Sequence, residues 1–323
     1  MHKMKFVTLL LITFLFVRCG ENQESINNKG KDLLPNFFQI TGYAQGTTYS
    51  IVYQDSLERD LSNSIDSLLK DYDSYLSTYV DTSLISQFNN SEYSPTSSKT
   101  RWNNDFLDLE IKPDGIFEDC FKSAKEIYHA TDGAFNPAIF PLVQYWGFFK
   151  GEIREDASEI EIDSLLKIVD FSDSMINLYT DTVSKGDIIF GSTPVIGKLN
   201  GNTKIDFNGI AQGHSVDIIG SYLLSLGVIN FMVEVGGEVL CNGVNNKNTY
   251  WQIGVDKPVD NSSPGSEGFQ FVVTVNNGAI ATSGNYRKFY EKDGLKYAHT
   301  ISPKTGYPVQ HSLLSVTVKA DKC

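Results

Sequence analysis

From Phe231 to Lys319 the chain reads as strand after strand, with no helical period between them. Phe231–Val235, Glu238–Cys241, Trp251–Val255, Phe269–Val275 and Leu314–Lys319 are short apolar runs separated by segments rich in Gly, Asn, Asp and Ser. Consecutive parallel strands need a crossover, usually a helix. This stretch therefore argues against a regular doubly wound sheet and predicts an α+β fold. Ahead of it, strands and helices alternate. Tyr49–Tyr53 reads as a strand. Apolar residues at Leu57, Leu61, Ile65, Leu68, Leu69, Tyr72 and Leu76 recur at three and four, which predicts an amphipathic helix over 56–77. Ile116–Tyr128 carries the same period, Ile160–Val169 suggests a third helix, and Ile210–Leu226 a fourth, ended by Gly227. Ile176–Tyr179, Asp187–Phe190 and Thr203–Phe207 look like strands, and the polar stretch Asn89–Asn104 like a surface loop.

Charge and composition narrow the function. The 323 residues include 27 Lys+Arg and 39 Asp+Glu, a net charge of −12. Holding nucleic acid requires a basic face to neutralise phosphates, so that class is excluded. With 41% hydrophobic and 20% charged residues the chain is an ordinary globular one, long enough for one large domain or two smaller ones.

The N-terminus suggests a compartment. Lys3 and Lys5 precede Phe6–Val17, an apolar run interrupted by Thr8 and Thr13. It has the length of a signal-peptide core and is too short to span a bilayer. It ends at Arg18-Cys19-Gly20. A Cys closing such a run looks like the lipid-modified Cys of bacterial lipoproteins, although Arg18 departs from the usual small residue; the alternative is an ordinary cleaved signal peptide with an incidental Cys. Residues 1–18 are thus expected to be a signal peptide, Cys19 the lipidation site and 19–36 a tether from the bacterial cell membrane, on its periplasmic side, to a domain over 37–323. Cys120 and Cys241 lie in apolar patterns, as small buried residues do, and no Cys/His cluster has zinc spacing.

Seven polar motifs interrupt the pattern where no core needs them. They are Gly42–Tyr49, Leu76–Asn89, Thr131–Phe148, Lys204–Asp217, Glu234–Glu238, Ala281–Arg287 and His299–Pro308. The fourth has Asp206, then Gly209, then the start of a helix, a layout that aims backbone N–H groups at an anion. Its glycine spacing is not that of the dinucleotide fingerprint. Tyr79 can stack on a flat ring or cap the core. Asp206 can face a ligand or cap the following helix.

In this order the motifs resemble the ApbE family of FAD:protein FMN transferases over about residues 40–320. The resemblance rests on Gly46-Thr47, the Leu76–Asn89 stretch, Gly133-Ala134-Phe135-Asn136 with Trp146-Gly147-Phe148, Asp206 with Asp217, Gly236-Gly237-Glu238, Ala281–Tyr286 and His299–Pro308. It implies an α+β fold of the ApbE, T-fold-like kind, with mixed sheets, packed helices and a single large globular unit. By position it implies FAD contacts at Gln45, Tyr79, Ala134, Phe135, Asn136, Asp206, Gln212 and Ile301. Gln45, Asn136 and Gln212 depart from the family's common Met, Asp, and Lys or Glu. The resemblance places a Mg²⁺ ligand at the Gly209 carbonyl. The family's other metal ligands lie beyond the strand Leu314–Lys319, so it implies either a domain truncated at its C-terminus or a protein lacking half its metal site.

The implied reaction is Mg²⁺-dependent transfer of FMN from FAD to a Thr side chain of exported redox proteins, with release of AMP. Implied acceptors are subunits of the sodium-pumping NADH:quinone oxidoreductase or Rnf-type complexes. Phosphoryl transfer to an alcohol needs charge neutralisation and a base. His299, in the most specific motif, is the candidate base, or else a structural His on the Thr305-Gly306 turn. Two other readings stand beside transfer: a pyrophosphatase that splits FAD with water, and a flavin-binding lipoprotein without catalysis.

Overall fold

Gln45 and Gly46 have φ of 53° and 72°. Two successive positive φ values make the tight turn that matches the twist of a hairpin, and they join β1 (Phe37–Ala44) to β2 (Thr47–Gln54). The computed structural model describes residues 36–91, 100–103, 106–110, 115–151, 153–154, 156–185, 188–260, 262–263, 265–286, 289–292 and 295–323. The expected signal peptide, Cys19 and residues 20–35 of the tether lie outside them. No described helix is long and apolar enough to cross a membrane.

After β2 come helices α1 (Ser62–Leu76) and α2 (Leu84–Asn89), and strands β3 (Thr100–Asn103) and β4 (Phe106–Glu110). Helix α3 (Ile116–Ala130) leads through a 3-10 turn at Pro137–Ile139 to α4 (Phe140–Tyr145) and α5 (Glu159–Leu166). Strands β5 (Ile176–Lys185) and β6 (Ile188–Lys198) precede the long helix α6 (Asn208–Ser225). The strand-only stretch supplies β7 (Phe231–Val235), β8 (Glu238–Asn242), β9 (Trp251–Asp256), β10 (Phe269–Val275), β11 (Gly278–Gly284), β12 (Phe289–Lys292), β13 (Leu295–Ala298) and β14 (Ser315–Ala320).

One sheet has the order β1-β2-β7-β8-β11-β14 and another β3-β4-β6-β5, every pair antiparallel. The hairpins β9–β10 and β12–β13 form two further small sheets. The fold is therefore α+β, as the strand-only stretch predicts. The six-stranded sheet is covered on both faces. Phe231, Val233 and Val235 of β7 pack with Val216, Ile219 and Leu223 of α6, while Met232 of β7 meets Val239, Trp251 and Ile253 on the other side. Burying one such side chain is worth about 1.5–3 kcal/mol. A separate core joins α1, α2, α3 and the four-stranded sheet, and Ala211 of α6 belongs to it. Helix α6 thus touches both cores, one through Ile210, Ala211 and Ile218 and the other through Val216, Ile219 and Leu223.

Four elements depart from the sequence pattern. Helix α1 starts at Ser62, not at 56. Asp55 takes the N–H groups of Leu57 and Arg59 and pairs with the Arg59 guanidinium at 2.7 Å, which holds the preceding loop, and Leu57 is exposed. Tyr79 lies beyond the end of α1 rather than closing it. Asn89 belongs to α2, and Thr100–Asn103 is a strand rather than part of a loop. Thr203–Phe207 is irregular and pairs with no described strand; the side chains of Lys198 and Asn89 satisfy backbone groups of Thr203 and Ile205.

Candidate functional site

The segment before α6 brings Asp206 to the helix start. Its N–H donates to the Pro137 carbonyl at 2.9 Å, which ties it to the turn after α3. Its carboxylate accepts from the Asn208 N–H at 2.7 Å and from Asn208 Nδ2 at 3.1 Å. Asp206 thus holds Asn208, the first residue of α6, while the N-cap position is Phe207 and carries no side-chain cap hydrogen bond. Burial pushes its carboxyl up to about 6, against those two hydrogen bonds, which favour the charged form. The N–H groups of Ile210 and Ala211 are taken by Phe207. Among the described residues this leaves the Gly209 N–H as the first-turn donor for a ligand.

Gly209 lies under the Phe135 ring. A Cβ at Gly209 would stand 3.2 Å from Phe135 Cε2, so glycine lets the ring cross the helix start. Phe135 is presented by a turn that Gly133 opens at φ 71° and Thr131 holds, its Oγ1 accepting the Phe135 N–H at 3.1 Å. Ala134 is exposed beside it. Asn136 is buried, and both ends of its amide are engaged within the fold. Oδ1 accepts from the Ala138 N–H at 2.9 Å, and Nδ2 donates to Val169 at 3.2 Å. The side chain holds the turn, where the family's common Asp would carry a charge.

Tyr79 is 54% exposed. Its ring lies 4.9 Å from that of Phe149, and Lys150 Nζ bonds the Tyr79 carbonyl at 3.1 Å and Asp81 at 3.3 Å. Burial, then the charge of Asp206, push the Tyr79 hydroxyl up, which sets the two residues within electrostatic reach. Phe149 and Lys150 carry no weight in the sequence reading. The only signal for them is the aromatic run Tyr145–Phe149 ending in a cation.

Gln45 and Gln212 both lie against Ser215 of α6. Ser215 Oγ donates to the Gln212 carbonyl at 2.7 Å and lies 3.4 Å from Gln45 Oε1. Gly236, at φ 63° in the β7–β8 turn, stands so close that a Cβ there would meet Gln212 Nε2 at 2.8 Å and Thr47 Cγ2 at 2.9 Å. Gln45 Nε2 is buried with no hydrogen-bond partner among the described residues. A buried donor left open is costly, so a ligand acceptor there relieves a penalty. Two positions that depart from the family pattern are therefore neighbours.

Ile301 and His299 belong to a different support. Ile301 is buried, bridges Pro308 and packs with Leu142 and Trp146. The turn between them closes where the Gly306 N–H donates to the Ser302 carbonyl at 2.8 Å and the Ser302 N–H donates to the Tyr307 carbonyl at 2.9 Å. His299 is exposed where the chain enters this turn. Among the described residues no group of three or more His, Cys, Asp and Glu is placed to hold a metal. Gly209 offers a main-chain carbonyl at an exposed position.

The hairpin turn at Gln45, the Phe135 turn, the start of α6 and the β7–β8 turn thus converge on one helix end. Residues 45–323 match the ApbE family. The chain belongs to the ApbE family. It is 32% identical to the FAD:protein FMN transferase of Vibrio cholerae over 88% of this chain and 77% of that one. With the Escherichia coli FAD:protein FMN transferase it shares 28% identity over 97% of this chain and 81% of that one. The solved flavin transferase ApbE from Vibrio cholerae superposes with a TM-score of 0.70 at 30% identity, covering 89% of this chain and 83% of that one. The Pseudomonas stutzeri flavinyl transferase ApbE, in its apo form, gives 0.70 at 25% identity, with 88% and 80% covered. The chain therefore shares the overall fold of these flavin transferases.

Proposed function

We propose that this ApbE protein moves FMN from FAD onto a threonine hydroxyl of a protein acceptor and releases AMP. The observation that carries the reading is the convergence at the start of α6, where two aromatic rings, a free helix N–H and a carboxyl of raised pKa stand together. Tyr79, backed by Phe149, offers a face for the flavin ring, and Phe135 an edge. The Gly209 N–H donates to a phosphate oxygen. Gln45 Nε2 gives the ligand a buried donor, and Gln212 holds the wall behind it.

In the transfer, the acceptor oxygen bonds the FMN phosphorus, and the bond from that phosphorus to the bridging oxygen breaks. AMP leaves with the bridging oxygen. His299 takes the proton of the acceptor hydroxyl. The Gly209 carbonyl is a hard oxygen donor that would help to hold Mg²⁺. When bound, that ion neutralises charge on the transferring phosphoryl group.

Acceptors of the right class are membrane redox subunits, such as those of the sodium-pumping NADH:quinone oxidoreductase and Rnf-type complexes. The signal peptide at 1–18, a lipid on Cys19 and the tether at 19–36 would hold the domain at the membrane on its periplasmic side. The test is AMP release from FAD with and without an acceptor, with in-gel flavin fluorescence of the acceptor band. AMP and a fluorescent band that both require the acceptor support transfer. AMP without acceptor means hydrolysis by water, and no AMP means a flavin binder.

A further inference from the structure

Asn89, the last residue of α2, is 4% exposed. Its Nδ2 donates to the Ile205 carbonyl at 2.8 Å, and its Oδ1 accepts the Ile205 N–H at 2.7 Å. One amide side chain thereby does for Ile205 what a neighbouring strand does in a sheet. Beside it, the fully buried Lys198 Nζ donates to Phe88 at 2.9 Å and to Thr203 at 3.4 Å. Thr203, Ile205 and Asp206 are therefore pinned in turn by Lys198, Asn89 and the Pro137 carbonyl. Asp206 follows Ile205 directly, and α6 starts at Asn208.

We propose that Asn89 is a positioning residue for FAD: by matching both polar groups of Ile205 it sets the Asp206 carboxyl. The proposal rests on the reading that Asp206 faces FAD. An amide is required because the site needs one donor and one acceptor on the same flat group. Aspartate accepts from the Ile205 N–H but sets a negative oxygen against the Ile205 carbonyl. Glutamine adds a methylene where Asn89 and Ile205 are both buried, so the pairing shifts along the chain.

The experiment is a double-mutant cycle on FAD binding by the full chain, read by flavin fluorescence, with melting temperatures recorded for every variant. Asn89→Asp is expected to weaken FAD about tenfold. Asp206→Ala is also expected to weaken it, and in the Asp206→Ala background Asn89→Asp should cost less than twofold. Stability alone does not produce that coupling, because a structural loss persists in both backgrounds. If Asn89→Asp yields no folded protein, Asn89→Ser replaces it in the same cycle. Equal losses in both backgrounds, or unchanged FAD affinity of the Asn89 variant, would overturn the proposal while leaving the reading of Asp206 intact. An Asp206→Ala variant that binds FAD as the wild type does would refute that reading, and the proposal with it.

Discussion

The indole Nε1 of Trp146 donates to the carbonyl of Gly306 at 2.8 Å, across 160 residues of chain. It docks the turn that His299 enters onto the element that follows Phe135. Trp146 is 3% exposed, and its ring lies 5.7 Å from that of Tyr307. Trp146→Phe keeps much of the apolar packing and leaves the buried Gly306 carbonyl without this donor, a loss of about 1–3 kcal/mol. The melting temperature should fall by several degrees while FAD affinity changes less than twofold. An unchanged melting temperature would mean that the bond contributes nothing.

Gly236 and Gly237 separate two effects. Both have positive φ, at 63° and 104°. A Cβ at Gly237 meets nothing within 4 Å, whereas one at Gly236 runs into Gln212 and Thr47. Gly237→Ala should cost about 1–2 kcal/mol, from backbone strain alone. Gly236→Ala should cost more in chemical denaturation and should also weaken FAD by displacing Gln212. Equal costs, with FAD affinity untouched in both, would mean that the wall behind the site is not Gln212.

Burial, with the charge of Glu234 adding to it, pushes the Glu238 carboxyl from 4.5 up to about 7. The folded state therefore holds a proton that the unfolded chain has lost between those values. This contribution to stability is full below about 4.5 and is lost as pH rises through about 7. Glu238→Gln stays neutral at every pH and escapes that loss, so the variant should gain melting temperature over wild type at pH 8 and not at pH 5. A shift of the same size at both pH values would show that the charge of Glu238 is not the cause.

Ring and phosphate recognition are separable by ligand. FAD should bind more tightly than riboflavin, because only FAD reaches the start of α6. Tyr79→Ser should weaken both by roughly fivefold, about 1 kcal/mol for a lost aromatic contact. Equal affinity of the wild type for the two ligands would remove the phosphate site from the reading.

Membrane attachment is tested at Cys19. Detergent-free fractionation of cells making the full chain should leave the protein with the membranes, and Cys19→Ser should release it. A wild type found in the soluble fraction would end the lipid-anchor proposal.

The hydrophobic pattern held enough to read the fold class. β7 shows why: its buried residues alternate strictly, and a covered antiparallel strand leaves that trace. Thr203–Phe207 misleads for the opposite reason. Its composition suits a strand, but its partners are the side chains of nearby Lys198 and of Asn89, 116 residues away from Ile205, and a period in one segment carries no information about a side chain elsewhere. The same limit hides Phe149 and Lys150 behind Tyr79. Gln45 and Gln212 were visible singly as departures from a pattern. That they are neighbours depends on Ser215 and the β7–β8 turn, which only the folded chain brings together.

Pairing β2 with β7 has a consequence for how the molecule is made. Tyr49 lies opposite Val235, so β2 meets its second partner only after about 180 further residues exist. At ~5–20 residues per second of synthesis, that edge waits roughly ten to forty seconds. The waiting edge carries Tyr49, Ile51 and Tyr53, which are buried once β7 arrives. A nascent chain of this kind presents a β-prone, apolar edge to its neighbours throughout that interval. Yield on overproduction should therefore depend on how quickly the middle of the chain follows its beginning, and on the chaperones that shield it meanwhile.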